Sequence, residues 1–152
     1  RSTPEAFDAV VAVDAAYHFS PRADFLQSAH ASLAPGGRLA YTDLSLPSGA
    51  VAARGLRLAA RLCGLDGDEL ATLQAQQQRL QALGFVDVRL QPLDDAVLGG
   101  FASFVACQRE RLGARAQGPG WRRVAATARL LGPARALGLG YVLLSARRGE
   151  SS

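Results

Sequence analysis

Residues 7–14 read FDAVVAVD, and this segment gives the first indication of the fold of the chain. Its middle, Ala9 to Val13, is continuously apolar rather than alternating, which is typical of a parallel strand covered on both faces. Asp14 ends the apolar run, and residues 15–19, AAYHF, follow it. The segment therefore predicts a buried strand whose carboxyl end leads directly into a loop with polar and aromatic side chains.

The sequence after this loop predicts a helix and then a second strand. Ser20 is a suitable N-cap and Pro21 a suitable first helical residue. A Pro-Gly-Gly turn at residues 35–37 stops the helix, and residues 38–42 predict a strand that ends at Asp43. Because a strand–helix–strand crossover of this length is almost always right-handed, we expect the two strands to lie parallel and adjacent.

The rest of the chain continues this alternation. Residues 51–65 have the apolar spacing of a helix, and the carboxylates of residues 66–69 predict the first turn of another, which ends at Gly84. Residues 85–90 predict a third strand and residues 141–146 a last one. The pattern is that of an α/β fold with helices on both faces of the sheet.

The stretch 94–138, between the last two predicted strands, is expected to be a helical insertion. Its apolar residues recur at helical spacing, residues 113–120 are rich in helix breakers, and Gly132-Pro133 predicts an interruption of the helix or helices that follow. Such an insertion could cover a substrate, support contacts between subunits or simply pack on the sheet as a satellite core.

Composition limits the classes of function. The 152 residues are enough for one domain, residues 1–152, and the net charge is +4. All basic residues are arginines, spread along the chain without a run of interleaved aromatics, so we do not expect a nucleic-acid surface. Cys63 and Cys107 stand apart from any CxxC or His/Cys cluster and are expected to be small core residues rather than metal ligands.

No apolar run approaches the about 18 to 20 residues that span a bilayer. We therefore expect no integral membrane segment and a cytoplasmic protein, although a targeting segment before Arg1 would not be visible in this sequence.

Taken together, these segments resemble the C-terminal half of a class I S-adenosylmethionine-dependent methyltransferase. They are most similar to the small-molecule methyltransferases related to the ubiquinone/menaquinone, sterol and tocopherol enzymes. Residues 7–14 match the fourth of the family's seven strands, and residues 33–39, LAPGGRL, match the turn into the fifth. Residues 80–88, LQALGFVDV, match the entry to the sixth strand, and residues 141–146 would form the seventh.

The resemblance also has a gap. The family's Gly-rich loop after its first strand, and the acidic residue that ends its second strand, have no counterpart in this sequence. The resemblance therefore implies a partial Rossmann-like sheet, strands four to seven, with the main cofactor-binding motif absent. The first strand of the chain would then lack its central neighbour and expose an apolar edge, which a homodimer or a partner chain could cover.

The resemblance also implies a site at the carboxyl ends of the strands, where ligands of open α/β sheets bind. The expected roles are cofactor binding by Asp14 and Ala15, proton removal by His18, and substrate binding by Tyr17, Phe19 and Asp43. Each residue has a simpler explanation as well, because a loop histidine is often structural, Asp14 could cap the turn, and the two aromatic rings could belong to the core.

Two functions are consistent with this sequence. The full-length protein could methylate a small, apolar molecule with S-adenosylmethionine, this chain alone being weak or inactive. Alternatively, the chain could be a non-catalytic methyltransferase-like subunit that a partner or dimerisation completes. An NAD-dependent enzyme is less favoured, since it too needs a glycine loop and the Pro-Gly-Gly turn favours the methyltransferases.

Overall fold

The computed structural model describes residues 6–113 and 118–150, and the structural statements below concern these residues. Five strands form one sheet: β1 (Phe7–Ala12), β2 (Leu33–Leu46), β3 (Ala71–Thr72), β4 (Phe85–Pro92) and β5 (Gly140–Arg148). The helices are α1 (Arg22–Ser32), α2 (Ala50–Leu62), α3 (Leu73–Ala82), α4 (Gly100–Leu112) and α5 (Pro119–Ala136). The predicted α/β class and the predicted strands are confirmed, whereas the two-residue strand β3 was not expected.

The order of the long strands is β1-β2-β5-β4, and β3 pairs with the end of β2. β1 and β2 are parallel, as predicted, while β5 is antiparallel to both β2 and β4. The carboxyl ends of β1, β2 and β4 therefore share one edge of the sheet with the amino end of β5. We call this edge the carboxyl edge.

Helices cover both faces of the sheet. Side chains alternate between the faces of a strand, so Leu39 and Tyr41 of β2 face one side and Leu44 and Leu46 the other. The first side packs against α1 and α3 through Leu26, Leu33, Leu80, Phe85, Val142 and Leu144. The second side packs against α2 through Ala53, Leu56 and Ala60.

The outer part of the sheet is not covered in the same way. Within the described ranges β1 pairs only with β2. Phe7, Val11 and Val13 are 59%, 66% and 63% exposed, whereas Val10 and Ala12, on the opposite face, pack against the core. The expected apolar edge is therefore present on β1, whereas the prediction that this strand is buried on both faces was wrong, since none of its six residues is fully buried.

The Pro-Gly-Gly segment does not simply end α1, because residues 33–37 already belong to β2. The pairing of β1 with β2 shifts there, from Phe7 opposite Leu33 to Ala9 opposite Arg38, so the segment forms an irregularity inside the strand. Gly37 is required at this point, since a Cβ would lie 2.8 Å from the Ala34 carbonyl oxygen.

The starts of two helices differ from the predictions. Ser20 does not cap α1, because its hydroxyl donates to Asp66 Oδ2 at 2.7 Å. The acidic residues 66–69 do not open a helix either, because the Asp66 carboxylate accepts the Asp68 amide at 3.0 Å and holds a turn. α3 begins at Leu73, and its N-cap is Thr72, whose hydroxyl accepts the Ala75 amide at 3.2 Å.

Two further expectations were wrong. α5 runs without interruption through Gly132 and Pro133, although proline lacks the amide that would bond the carbonyl one turn earlier. Cys63 and Cys107 are exposed rather than core residues, since Cys63 follows the end of α2 and Cys107 lies on α4, of which only Val105 is buried. The predicted loop at 113–120 lies partly outside the described residues, at 114–117.

Across residues 6–113 and 118–150, none of the helices has both the length and the apolar character needed to cross a bilayer.

Candidate functional site

The loop that leaves β1 at the carboxyl edge is held in one conformation by its first residue. Asp14 has a φ of 52°, in the left-handed region that Asp and Asn tolerate better than most residues. This conformation turns the chain sharply after the strand and into a short 3₁₀ helix, Ala16–His18. The turn is closed by the His18 amide, which donates to the Ala15 carbonyl at 3.0 Å.

Three strands meet at Asp14. The Asp14 amide donates to Thr42 Oγ1 of β2 at 2.9 Å, and the Tyr141 hydroxyl of β5 donates to Asp14 Oδ1. The hydroxyl oxygens of Tyr141 and Thr42 are 2.8 Å apart. Because the Tyr141 hydroxyl donates its only proton to the Asp14 carboxylate, the Thr42 hydroxyl must donate to the Tyr141 oxygen. Thr42 also accepts the Asp14 amide, so every group in the network has a partner.

Burial and this network change the acidity of the tyrosines. Burial, followed by the hydrogen bond to Asp14, raises the pKa of Tyr141 to about 12. Burial also raises the pKa of Tyr17, and the negative charges of Asp14 and Asp43 act in the same direction. Both phenols are therefore neutral at physiological pH and serve here as hydrogen-bond donors and aromatic surfaces.

A buried ion pair lies directly behind the loop. Arg22 Nε is 3.1 Å from Asp43 Oδ2 and donates its hydrogen to the Ala16 carbonyl at 3.0 Å. Arg22 Nη1 donates to the Glu69 carbonyl at 2.7 Å. Since the Nε hydrogen points at Ala16, the contact with Asp43 is one of charge rather than a hydrogen bond. Arg22 thus ties the candidate loop to α1, to β2 and to the turn before β3.

The acidity of Asp43 reflects its burial more than its partner. Burial raises the pKa of Asp43 to about 6, while the Arg22 charge and the Leu44 amide, which donates to Asp43 Oδ1 at 2.8 Å, lower it. Burial has the larger effect because removing a carboxylate from water costs more free energy than the attraction of one imperfectly aligned guanidinium restores.

The structure brings most of the predicted site residues to one place. His18 is exposed, Ala15 and Tyr17 are half-buried, and the rings of Tyr17 and His18 lie 4.6 Å apart. Phe19 is turned toward the core instead, with its ring 4.8 Å from that of Phe25. Asp43 is buried and faces Arg22 rather than the open edge.

Sequence reasoning missed Thr42, Tyr141 and Arg22. The position of Thr42 near the end of a strand beside β1 was a usable signal. The role of Tyr141 depends on an antiparallel register, Asp43 opposite Val142 and Leu44 opposite Tyr141, that no local pattern reveals. Arg22 gave no signal, because an arginine in a first helical turn is usually exposed.

No family model and no curated protein sequence matches this chain. Solved structures do match it. The phosphoethanolamine N-methyltransferase 2 of Haemonchus contortus, in complex with S-adenosyl-L-methionine, is 16% identical with a TM-score of 0.71, and the match covers 99% of this chain and 35% of that one. The cyclopropane synthase MmaA2 of Mycobacterium tuberculosis is 20% identical, with a TM-score of 0.67 and coverage of 95% and 56%. The cyclase SpnF is 22% identical, with a TM-score of 0.62 and coverage of 99% and 53%.

The chain has the class I methyltransferase fold. It spans between about a third and just over a half of the length of these three proteins. Their names describe different reactions, N-methyl transfer, cyclopropane formation and a cyclisation, so the shared fold does not by itself fix the chemistry.

Proposed function

We propose that the protein containing this chain transfers a methyl group from S-adenosylmethionine to a small, apolar molecule. The observation that carries the proposal is the fixed loop at the carboxyl edge, where the exposed His18 lies against Tyr17, four residues after Asp14. In open α/β sheets, ligands bind at this edge. The likeness to a methyltransferase solved with S-adenosyl-L-methionine supports the choice of cofactor.

The residues present fit one wall of such a cofactor site. Asp14 is exposed, and one of its carboxylate oxygens accepts from Tyr141, so its orientation is set before any ligand arrives. With Ala15, it offers a carboxylate and backbone groups to a polar ligand. When bound, S-adenosylmethionine supplies an electrophilic methyl group on a sulfonium centre.

The remaining residues have roles that follow from their exposure. His18 is the residue of the loop best suited to remove a proton from the acceptor, because it is exposed and histidine is the side chain that most often acts as a general base. Tyr17 presents a neutral aromatic face that attracts a cation. Phe19 supports the loop from beneath through Phe25.

Asp43 was predicted to bind substrate, but its burial favours a different role. We propose that it positions Arg22, whose bonds to the Ala16 and Glu69 carbonyls hold the loop in place. Asp43 would then act on the site only through Arg22.

Calorimetry with two ligands tests the proposal. The protein in its natural length should bind both S-adenosylmethionine and S-adenosylhomocysteine, and only the former carries the sulfonium charge. Tyr17→Leu should weaken the binding of S-adenosylmethionine by about fivefold to thirtyfold, since a cation–π contact contributes about 1 to 2 kcal/mol. It should weaken the binding of S-adenosylhomocysteine less. His18→Gln is the control, because it should leave both affinities unchanged. Absence of binding to the wild type would contradict the proposal.

The alternative is a methyltransferase-like subunit completed by a partner, and, like the main proposal, it predicts little cofactor binding by the chain alone. The compared proteins are about two to three times as long as this chain, and this sequence lacks the Gly-rich loop that lets backbone approach a nucleoside-type cofactor. We expect the 152-residue chain to bind S-adenosylhomocysteine weakly or not at all. Tight binding by this chain would show that half of the fold is sufficient and would remove the need for a completing partner.

A further inference from the structure

Helices α4 and α5 enclose a cleft that the proposed reaction does not use. The two helices connect the end of β4 to the start of β5, so they rise from the carboxyl edge. The cleft has a volume of about 510 Å³, within the range of small-molecule sites. Its lining includes none of the residues of the β1 loop.

Six of the nine residues that line this α4/α5 cleft are apolar. They are Val105, Trp121 and four alanines, two from each helix. Val105 is the only fully buried residue of α4, and none of the residues of α5 is fully buried. A helix pair normally closes on its apolar stripe, so this pair leaves apolar surface that a ligand can cover.

The other three lining residues are arginines. They are Arg109 of α4 and Arg122 and Arg129 of α5, and among the described residues none of the three has a carboxylate at ion-pair distance. Arg135, further along α5, is by contrast paired with Asp95. The cleft thus combines apolar side chains with three guanidinium groups that have no acidic partner within residues 6–113 and 118–150.

The distribution of charge along the sequence agrees with this arrangement. The stretch 94–138 contains seven arginines and three carboxylates, and the rest of the chain contains ten of each. The whole net charge of +4 therefore belongs to the segment that builds the cleft.

We propose that the α4/α5 cleft binds an amphipathic anion, an apolar chain or ring system that carries a phosphate, sulfate or carboxylate group. The apolar part would cover the ring of Trp121 and the lining alanines, and the anionic group would be held by the three lining arginines, whose planar donors suit such oxyanions. A concave cleft favours a single molecule over a flat membrane surface. The inference is independent of methyl transfer, because no candidate catalytic residue lines the cleft.

The single tryptophan of the chain provides the measurement, because Trp121 lies in the cleft. Titration with dodecyl phosphate, below its micelle concentration, should shift the emission of Trp121 to shorter wavelength in a saturable manner. Dodecanol and inorganic phosphate each lack one half of the proposed ligand, so each should bind at least about tenfold more weakly.

Variants then separate the cleft from general attraction to a basic protein. Arg109→Gln combined with Arg129→Gln should weaken dodecyl phosphate binding at least about tenfold, since two charge-assisted contacts are lost. Arg54→Gln, on the exposed surface of α2, changes the net charge in the same direction and should leave the affinity unchanged. Ala125→Phe should fill the cleft and abolish binding, while circular dichroism confirms that the helices are retained.

Several outcomes would overturn the inference. Equal binding of dodecanol and dodecyl phosphate would remove any role for the arginines. An effect of Arg54→Gln as large as that of the double variant would indicate diffuse electrostatic attraction. Binding to phosphatidylglycerol vesicles without any binding of monomeric dodecyl phosphate would assign the basic helices to a membrane surface instead of a cleft ligand.

Discussion

The Nε atom of Arg22 lies 3.1 Å from Oδ2 of Asp43, and the two side chains are only 3% and 1% exposed. This pair joins α1 to β2 beneath the loop that follows β1. The same guanidinium donates hydrogen bonds to the backbone carbonyls of Ala16 and Glu69. The position of the candidate site therefore depends on a buried charge whose hydrogen bonds go mainly to the backbone.

Removal of Arg22 should be strongly destabilising. Arg22→Met leaves the Asp43 carboxylate buried without its cation, and a broken buried pair costs about 3 to 5 kcal/mol of unfolding free energy. Urea unfolding, followed by circular dichroism, measures this loss. Adding Asp43→Asn to Arg22→Met should restore part of it, because the uncompensated charge is then gone. A double variant as unstable as the single one would show that the lost carbonyl contacts, and not the charge, carry the effect.

Asp43 should also make stability depend on pH. Its pKa in the folded protein is about 6, raised from the ordinary value of 3.8. Between these values the folded state keeps a proton that the unfolded state has released, so stability falls as pH rises from 4 to 6. The full loss of unfolding free energy from this group, between pH values well below 4 and well above 6, is about 3 kcal/mol.

The matched variant for this experiment is Asp43→Asn. Urea unfolding at a series of pH values should show a smaller decline in stability from pH 4 to pH 6 in the variant than in the wild type, because the other carboxylates are common to both. Parallel curves for the two proteins would mean that Asp43 has an ordinary pKa in the folded state.

Much of the architecture could be predicted from the sequence, and the reasons are local. The apolar run before Asp14 and the segment at residues 33–39 indicate adjacent parallel strands, because a strand–helix–strand crossover of this length is almost always right-handed. The burial that the same run predicts was not found on β1, because burial depends on what covers a strand and not on its own sequence alone. The site was predictable only in part. His18 and Tyr17 follow a strand end directly, whereas Tyr141 reaches Asp14 across 127 positions of sequence through the antiparallel register of β5.

Tyr141→Phe tests the network that this long-range contact creates. The variant keeps the ring but leaves the Asp14 carboxylate and the Thr42 hydroxyl without their common partner. A hydrogen bond to a charged group contributes about 1.5 to 3 kcal/mol, and the partial exposure of this site reduces the expected loss to about 1 kcal/mol. Urea unfolding measures it.

A second readout shows whether the loss is local. Hydrogen exchange of the Asp14 amide should accelerate in Tyr141→Phe, since this amide donates to Thr42 within the same network. Thr42→Val, which removes the acceptor itself, sets the upper limit of that acceleration. An unchanged exchange rate in Tyr141→Phe would mean that the tyrosine hydroxyl does not order the loop.

Two glycine-to-alanine substitutions should act in opposite directions. Gly84, just after α3, has a φ of +87°, and a Cβ there would lie 3.3 Å from His30 Nε2. Gly84→Ala should therefore lower the unfolding free energy by about 1 to 2 kcal/mol. Gly55→Ala, in the exposed middle of α2 with no atom within 4 Å of the new Cβ, should raise it by about 0.5 to 1 kcal/mol. Thermal unfolding of both variants checks the signs, and a destabilised Gly55→Ala would contradict the stated conformation of α2.

The open side of β1 should make the isolated chain associate with itself. β1 pairs only with β2 among the described strands, and Phe7, Val11 and Val13 expose apolar surface beside the free strand edge. Edges of this kind pair with other copies unless charge or a covering element prevents it, so sedimentation velocity should show a mass that grows with concentration. Val11→Lys combined with Val13→Lys should restore a monomer.

The control for this experiment separates the strand edge from apolar surface in general. Val51→Lys combined with Leu62→Lys makes the same change of charge on α2, where the two side chains are 90% and 82% exposed. A helix offers no unpaired strand for another copy to join, so this control should sediment like the wild-type chain. If both double variants became monomeric to the same extent, net charge rather than the edge of β1 would govern association. A wild-type chain that is monomeric at every concentration would show that β1 does not act as a free edge.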